Sequence, residues 1–386
     1  MSATLRIAIL AHSTNPRGGV VHALELGDAL CRLGYAATVH APDATGAGFF
    51  RDTICRTVGV AASPVGRNTL AMVETRIADY LRHFERGENR AFDVWHAQDG
   101  ISGNALATLT AHGLISGFAR TVHHVDDFTD ARLAALQRRA ITEADRLFVV
   151  SRVWQAWLVR EQGREACLVG NGVDTDWFSP TPDTTDTEVR ARLDLAPGTA
   201  VFLAVGGVEE RKNTLRLLEA FGALRARHPA SRLVIAGGAS LLDHDAYQAR
   251  FAAALAHGGL PDACVIRTGP WPQRLMPALY RVATSLVFPS IKEGFGLVVL
   301  EAMASGTPVV TSRIAPFTEY LGEDDAIWCD PRDTASIAAA MTTSLEPVRR
   351  RHCFQRGLRI AADHGWARAA RAHLATYERL LEPAHA

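Results

Sequence analysis

Two glutamates with seven residues between them, Glu293 and Glu301, lie in the most informative stretch of the chain, Pro289-Ser-Ile-Lys-Glu-Gly-Phe-Gly-Leu-Val-Val-Leu-Glu-Ala-Met-Ala-Ser-Gly-Thr-Pro-Val-Val310. Glycines 294 and 296 let the backbone turn tightly and approach a ligand. A helix is expected to start near Leu297 and to end at Gly306, which suits a C-terminal cap. The first free N–H groups of such a helix form an anion site suited to phosphate. Two carboxylates beside a phosphate would be repelled by it, so they read as acceptors for hydroxyls on a sugar and a ribose. A phosphate flanked by two polyols is a nucleotide sugar.

This segment resembles the signature of the family-4 retaining glycosyltransferases, which have the GT-B fold: a Pro-Ser, Glu-Gly-Phe-Gly-Leu, a second Glu after seven residues, then Ala-Met-Ala-x-Gly-x-Pro-Val-Val. Glu293 and Glu301 fall on the two family glutamates. The resemblance implies that Glu301 holds the ribose hydroxyls and Glu293 the sugar hydroxyls. Gly294, Phe295, Gly296 and Leu297 then bring backbone to the donor.

Other motifs extend the resemblance from residue 12 to residue 366. After the first strand, Gly18-Gly19 opens a helix and matches the family's glycine pair, with Gly19 approaching the donor. His123, in Arg120-Thr-Val-His-His-Val-Asp-Asp127, matches the family histidine that faces the donor sugar. Val205-Gly-Gly-Val-Glu-Glu-Arg-Lys-Asn213 resembles the loop whose Arg and Lys neutralise the diphosphate, with Lys212 on the lysine. Gly207 stands where the family usually has arginine, and Arg211 is the nearby replacement. Lys212 and Lys292 are the only lysines among 41 basic residues, a hint that a compact ammonium is wanted there. Trp271 falls in the region near the nucleotide base, and Asn171-Gly-Val-Asp174 resembles the family's hinge. Asp126, Asp127 and Asn213 read as helix caps, as does Asp243-His-Asp245, so no metal is expected.

The elements that must carry these residues alternate. Strands are expected at 5–11, 37–40, 92–96, 119–123 and 147–150, with helices at 19–33 and 69–85. A polar stretch at 181–187 reads as a linker. Alternation then restarts, with strands at 201–205, 232–236, 264–267 and 285–288. The fold class is therefore α/β, with two doubly wound Rossmann-like domains. The N-terminal, acceptor-side domain covers 1–175 with about 365–386, and the nucleotide-sugar donor domain covers 176–364. The ligand cleft is expected between the two, and the resemblance implies that the last helix crosses back to the first domain.

Composition fits this reading. The 386 residues suffice for two cores, 48% are apolar and 21% charged. Net charge is zero, which gives no reason to expect nucleic acid as a partner. The six scattered cysteines form no Cys-x-x-Cys pair, so a reducing cytoplasm is expected. The apolar run at 7–11 is too short for a signal peptide, and no run reaches the ~18 residues of a membrane helix. The resemblance implies location in the cytoplasm or at the inner membrane face, with peripheral membrane contact.

The resulting expectation is a retaining, metal-independent transferase with no cofactor, using a UDP- or GDP-sugar and a small-molecule, lipid or glycan acceptor. Three alternatives stand beside it: a sugar-nucleotide epimerase, a nicotinamide-dependent oxidoreductase using Asp43 on the ribose, and a non-catalytic binding protein. The absence of a Gly-x-Gly-x-x-Gly fingerprint after a strand speaks against the oxidoreductase.

Overall fold

The computed structural model of the protein describes residues 4–238 and 244–381. The chain divides into two compact units, Met1–Asn171 with Trp366–Ala386, and Gly172–Gly365.

In the first unit the order is β1 (Arg6–Leu10), α1 (Gly18–Arg32), β2 (Ala36–Asp43), β3 (Arg56–Ala61), α2 (Thr69–Phe84), β4 (Val94–Ala97), α3 (Gly100–Ala111), β5 (Ala119–Val122), α4 (Ala131–Thr142), β6 (Arg146–Val149), α5 (Arg152–Gln162) and β7 (Cys167–Leu168). The strands form one parallel sheet in the order β3-β2-β1-β4-β5-β6-β7. The central strands are buried along most of their length, as a sheet covered on both faces requires. Tyr80, buried on α2, shares its one hydroxyl proton between the carbonyls of Ala11 and His40 and ties that helix to the end of β1 and the middle of β2.

The second unit runs α6 (Thr184–Arg192), β8 (Val201–Val205), α7 (Thr214–Arg225), β9 (Arg232–Ala236), α8 (Asp245–His257), β10 (Val265–Gly269), α9 (Met276–Val282), β11 (Ser285–Phe288), α10 (Leu297–Ala304), β12 (Val309–Ser312), α11 (Phe317–Tyr320), β13 (Ile327–Cys329), α12 (Thr334–Thr343) and α13 (Pro347–Asp363). Its parallel sheet has the order β10-β9-β8-β11-β12-β13. The last helix, α14 (Trp366–Leu381), belongs to the first unit, where Trp366 meets His22 of α1 and Tyr377 meets His96 of β4.

Both sheets reverse their strand order beside their first strand. In a doubly wound sheet, ligands bind outside the carboxyl ends of the strands at that switch point. In unit 1 the switch lies between β1 and β4; in unit 2 it lies between β8 and β11.

Several expectations need correction. The polar stretch read as a linker instead starts α6, because Asp183 accepts from Thr185 N and caps it. Asp126 and Asp127 do not cap α4; Asp130 does, accepting from Arg132 N and Leu133 N. Asn213 holds the N-cap position of α7 but makes no side-chain cap. Its amide instead donates to the carbonyls of Pro289 and Pro331. Asp243 lies outside the described residues, while Asp245 is the first residue of α8 and His244 holds the cap position.

Candidate active site

The loops after β8 and β11 lie side by side because those strands pair across the switch of unit 2. The first loop carries Arg211 and Lys212, the second Glu293. Both cations converge on one carboxylate oxygen: Lys212 Nζ is 2.6 Å and Arg211 Nη1 2.8 Å from Glu293 Oε1. A backbone bond from Ile291 N to Arg211 O, at 2.9 Å, pins the loops together. Glu293 is only 7% exposed. Burial alone would push its carboxyl up, but Lys212 and then Arg211 overcome this and hold it down to about 2. Burial lowers Lys212 from the usual lysine range, with Glu293 acting against that shift. The Lys212 ammonium also sits 4.3 Å from the centroid of the Phe288 ring, a contact that a compact cation makes well.

Gly206, at the end of β8, has φ +129, and a Cβ there would lie 3.3 Å from Lys212 Cε. A glycine therefore lets the lysine stem lie close against the strand end. Gly207 follows it, and Arg211 brings a second cation of this loop to Glu293 beside Lys212. Buried Glu209 lies 3.6 Å from Arg211 Nη2 and helps fix the guanidinium.

Beyond Glu293 the backbone turns through Gly296, φ +92, into α10. A Cβ at Gly296 would come within 2.5 Å of Phe317 Cε1, so conformation and space both require glycine. Phe295 stacks on Tyr320 at 4.8 Å, holding the turn from below. Leu297 starts α10, and the first intrahelical acceptor is Gly296 O, 2.9 Å from Val299 N. The amides of Leu297 and Val298 thus face the turn at a helix start, suited to an anion.

Glu301, one turn into α10, accepts a 2.6 Å hydrogen bond from Tyr280 Oη of α9. Burial pushes its carboxyl up to about 7, and the tyrosine opposes that shift. Tyr280 was not anticipated from sequence; nothing in its neighbourhood marks it, and only the packing of α9 against α10 brings it to Glu301. Trp271 is partly exposed after β10, and its Nε1 is buried without a hydrogen-bond partner among the described residues.

At the switch of unit 1, Gly18 and Gly19 open α1, with no side-chain cap at Arg17. A Cβ at Gly19 would sit 3.6 Å from His123 Cδ2, so the glycine turn and the histidine share one corner. His123 follows β5 and its Nε2 lies 2.9 Å from Gln98 Oε1, a residue that sequence reasoning missed. His22 of α1 packs edge-on against the His123 ring, centroids 4.8 Å apart. Asp43, the acid offered for a nicotinamide ribose, accepts from the amides of Thr45, Gly46 and Gly48, so its lone pairs serve its own loop. Among the described residues, no group of three or more His, Cys, Asp or Glu is placed to hold a metal.

Residues 16–177 match the family described as Glycosyltransferase Family 4, and 199–346 match Glycosyl transferases group 1. A D-inositol 3-phosphate glycosyltransferase of Frankia alni is 30% identical over 331 residues, covering 80% of this chain and 79% of that one. The chain is a family-4 glycosyltransferase. A glycogen synthase of Mycobacterium tuberculosis is 28% identical over 330 residues, 80% of this chain and 74% of that one. Among solved structures, sucrose-phosphate synthase from Thermosynechococcus elongatus has a TM-score of 0.79 at 22% identity, covering 97% of this chain and 99% of that one. Anabaena HepE in complex with UDP-glucose has a TM-score of 0.76 at 18% identity, covering 97% and 100%. The enzyme therefore has the GT-B fold, with two Rossmann-like α/β units. Among the described residues, no helix of this transferase is long and apolar enough to cross a membrane.

Proposed function

We propose that the enzyme is a retaining transferase that takes its sugar from a nucleotide-diphosphate donor, UDP- or GDP-linked, bound by the second unit. The observation that carries this reading is the convergence of Lys212 and Arg211 on Glu293 beside the α10 amides. A diphosphate arriving there competes for both cations. As it takes them, the Glu293 carboxylate is released to accept from sugar hydroxyls, while Glu301 accepts from the ribose. Charge on the leaving diphosphate then grows against fixed ammonium, guanidinium and amide donors, which lowers the barrier to glycosidic cleavage. This supplies the charge that a divalent cation gives in metal-dependent transfer, so we propose turnover without metal or further cofactor. From the first unit we propose that Gly18 and Gly19 offer backbone, and that neutral His123 contacts the sugar. The HepE structure, which contains UDP-glucose, supports a nucleotide-sugar donor. The acceptor is proposed to be a small molecule, lipid or glycan met in the cytoplasm or at the inner membrane face, through peripheral contact only.

A thermal-shift panel of UDP-, GDP- and ADP-sugars tests the donor, since a bound ligand raises stability by mass action. The best donor is then incubated with candidate acceptors, with and without EDTA, and the anomeric configuration of the product is read by proton NMR. An inverted product overturns retention, and loss of turnover in EDTA overturns metal independence. Interconversion of the donor alone, without acceptor, would restore the epimerase reading, which the family relationship does not support.

A further inference from the structure

The donor-facing histidine has two different edges. Its Nε2 is 2.9 Å from Gln98 Oε1, while its Nδ1 has no hydrogen-bond partner among the described residues and the ring is only half-buried. Gln98 is itself buried, directly after β4 at the switch point. Its amide nitrogen lies 3.4 and 3.3 Å from the ring nitrogens of His96, which turns its carbonyl oxygen toward His123. His96 is anchored in turn: Nδ1 is 2.6 Å from Tyr377 Oη of α14, and Nε2 is 2.8 Å from Thr121 Oγ1 of β5. A carbonyl oxygen only accepts, so the His123 nitrogen facing it must carry the proton.

We propose that Gln98 is a positioning residue that fixes His123 as its Nε2–H tautomer and so leaves the Nδ1 lone pair to accept a hydrogen bond from a hydroxyl of the transferred sugar. This rests on the reading above that His123 contacts that sugar. Among the described residues, the groups facing His123 are His22 on α1, His96 on β4, Arg120 and His124 on its own segment, His373 on α14, and Gln98 after β4. No carboxylate is among them. Burial first, and those cations and imidazoles second, keep its pKa well below the ordinary histidine value, so the ring stays neutral.

The test uses the full-length enzyme with ¹⁵N-labelled histidine, the His123 resonances being those lost in His123→Ala. In the wild type, NMR should show protonated Nε2 and bare Nδ1, unchanged across pH 6–8. In Gln98→Leu the two tautomers should mix, and turnover of the best donor in the UDP-, GDP- and ADP-glucose panel should fall about 10–100-fold, as for loss of an orienting partner. Gln98→Glu retains an acceptor at Nε2 but adds a negative charge. It should keep the tautomer, recover activity at alkaline pH, and move the histidine titration upward into the measured range. A merely structural glutamine would lower the melting temperature without changing either the tautomer or the titration. A wild-type ring protonated at Nδ1, or a Gln98→Glu titration identical to wild type, overturns the proposal. The expected tautomers together with full activity in His123→Ala would instead overturn the sugar contact and leave the positioning role intact.

Discussion

At the scale of single residues, the two family glutamates are in opposite electrostatic states. Glu293 is held as an anion by Lys212 and Arg211, whereas burial leaves Glu301 to titrate at about 7. The anion of Glu301 is the better acceptor for ribose hydroxyls, so nucleotide affinity should strengthen as pH rises through 7 and weaken below it. Tyr280→Phe removes a bond that favours the anion and should move this inflection upward. Calorimetric titration of the best-binding nucleotide among UDP, GDP and ADP, from pH 5.5 to 8.5, checks both; a flat profile would remove Glu301 from the ribose. Glu301→Ala should weaken nucleotide binding by about 1.5–3 kcal/mol. Glu293 acts on folding rather than on binding, and at lower pH. Its carboxyl is depressed from 4.5 to about 2, so it stabilises the fold above pH 4.5 and that contribution disappears as pH falls from there toward 2. It is on the order of 3 kcal/mol. Lys212→Ala and Glu293→Ala should each cost on the order of 10²–10³ in kcat, read by steady-state kinetics. Near-wild-type turnover in both would sink the assignment.

At the scale of elements, the turn into α10 was readable because its chemistry is contiguous: the helix starts at Leu297 and its left-handed terminator is Gly306, φ +74, as the sequence suggests. What could not be read were contacts made by elements far apart in sequence. Tyr280 reaches Glu301 from α9, and Gln98 reaches His123 from the neighbouring strand. The caps failed for a related reason. Asp130 competes with Asp126 and Asp127 for one helix start, and proximity in sequence does not say which carboxylate the first amides find. The threonines and the aspartate of α6 have low helix propensity, and tertiary burial of Val189 with one capping aspartate outweighs it. Gly296 gives a test at this scale. Gly296→Ala places a side chain at φ +92, about 1–2 kcal/mol of strain, and drives Cβ into Phe317. The turn should shift, and nucleotide affinity should fall more than the melting temperature does. An unchanged dissociation constant would show that the α10 amides do not hold the phosphate.

At the scale of the whole molecule, the chain leaves the first unit at Asn171 and returns to it at Trp366, so the first core is completed by its last helix. Both units follow the same strand-order rule, which is why alternating strands and helices in sequence sufficed to anticipate two doubly wound sheets. The closing of the first core is not local: fully buried Tyr377 on α14 holds His96 of β4, and Trp366 covers His22 of α1. Tyr377→Ala should therefore cost about 3–5 kcal/mol, the range for emptying a large aromatic site, and that loss should fall on the first unit. Scanning calorimetry should show one transition moving down while the other stays, since two cores need not unfold as one. If the donor is held by the second unit, nucleotide affinity of this variant should remain within twofold of wild type while sugar transfer is lost at temperatures where the first unit has melted. Parallel loss of nucleotide binding and transfer at that temperature would overturn the assignment of the nucleotide to the second unit.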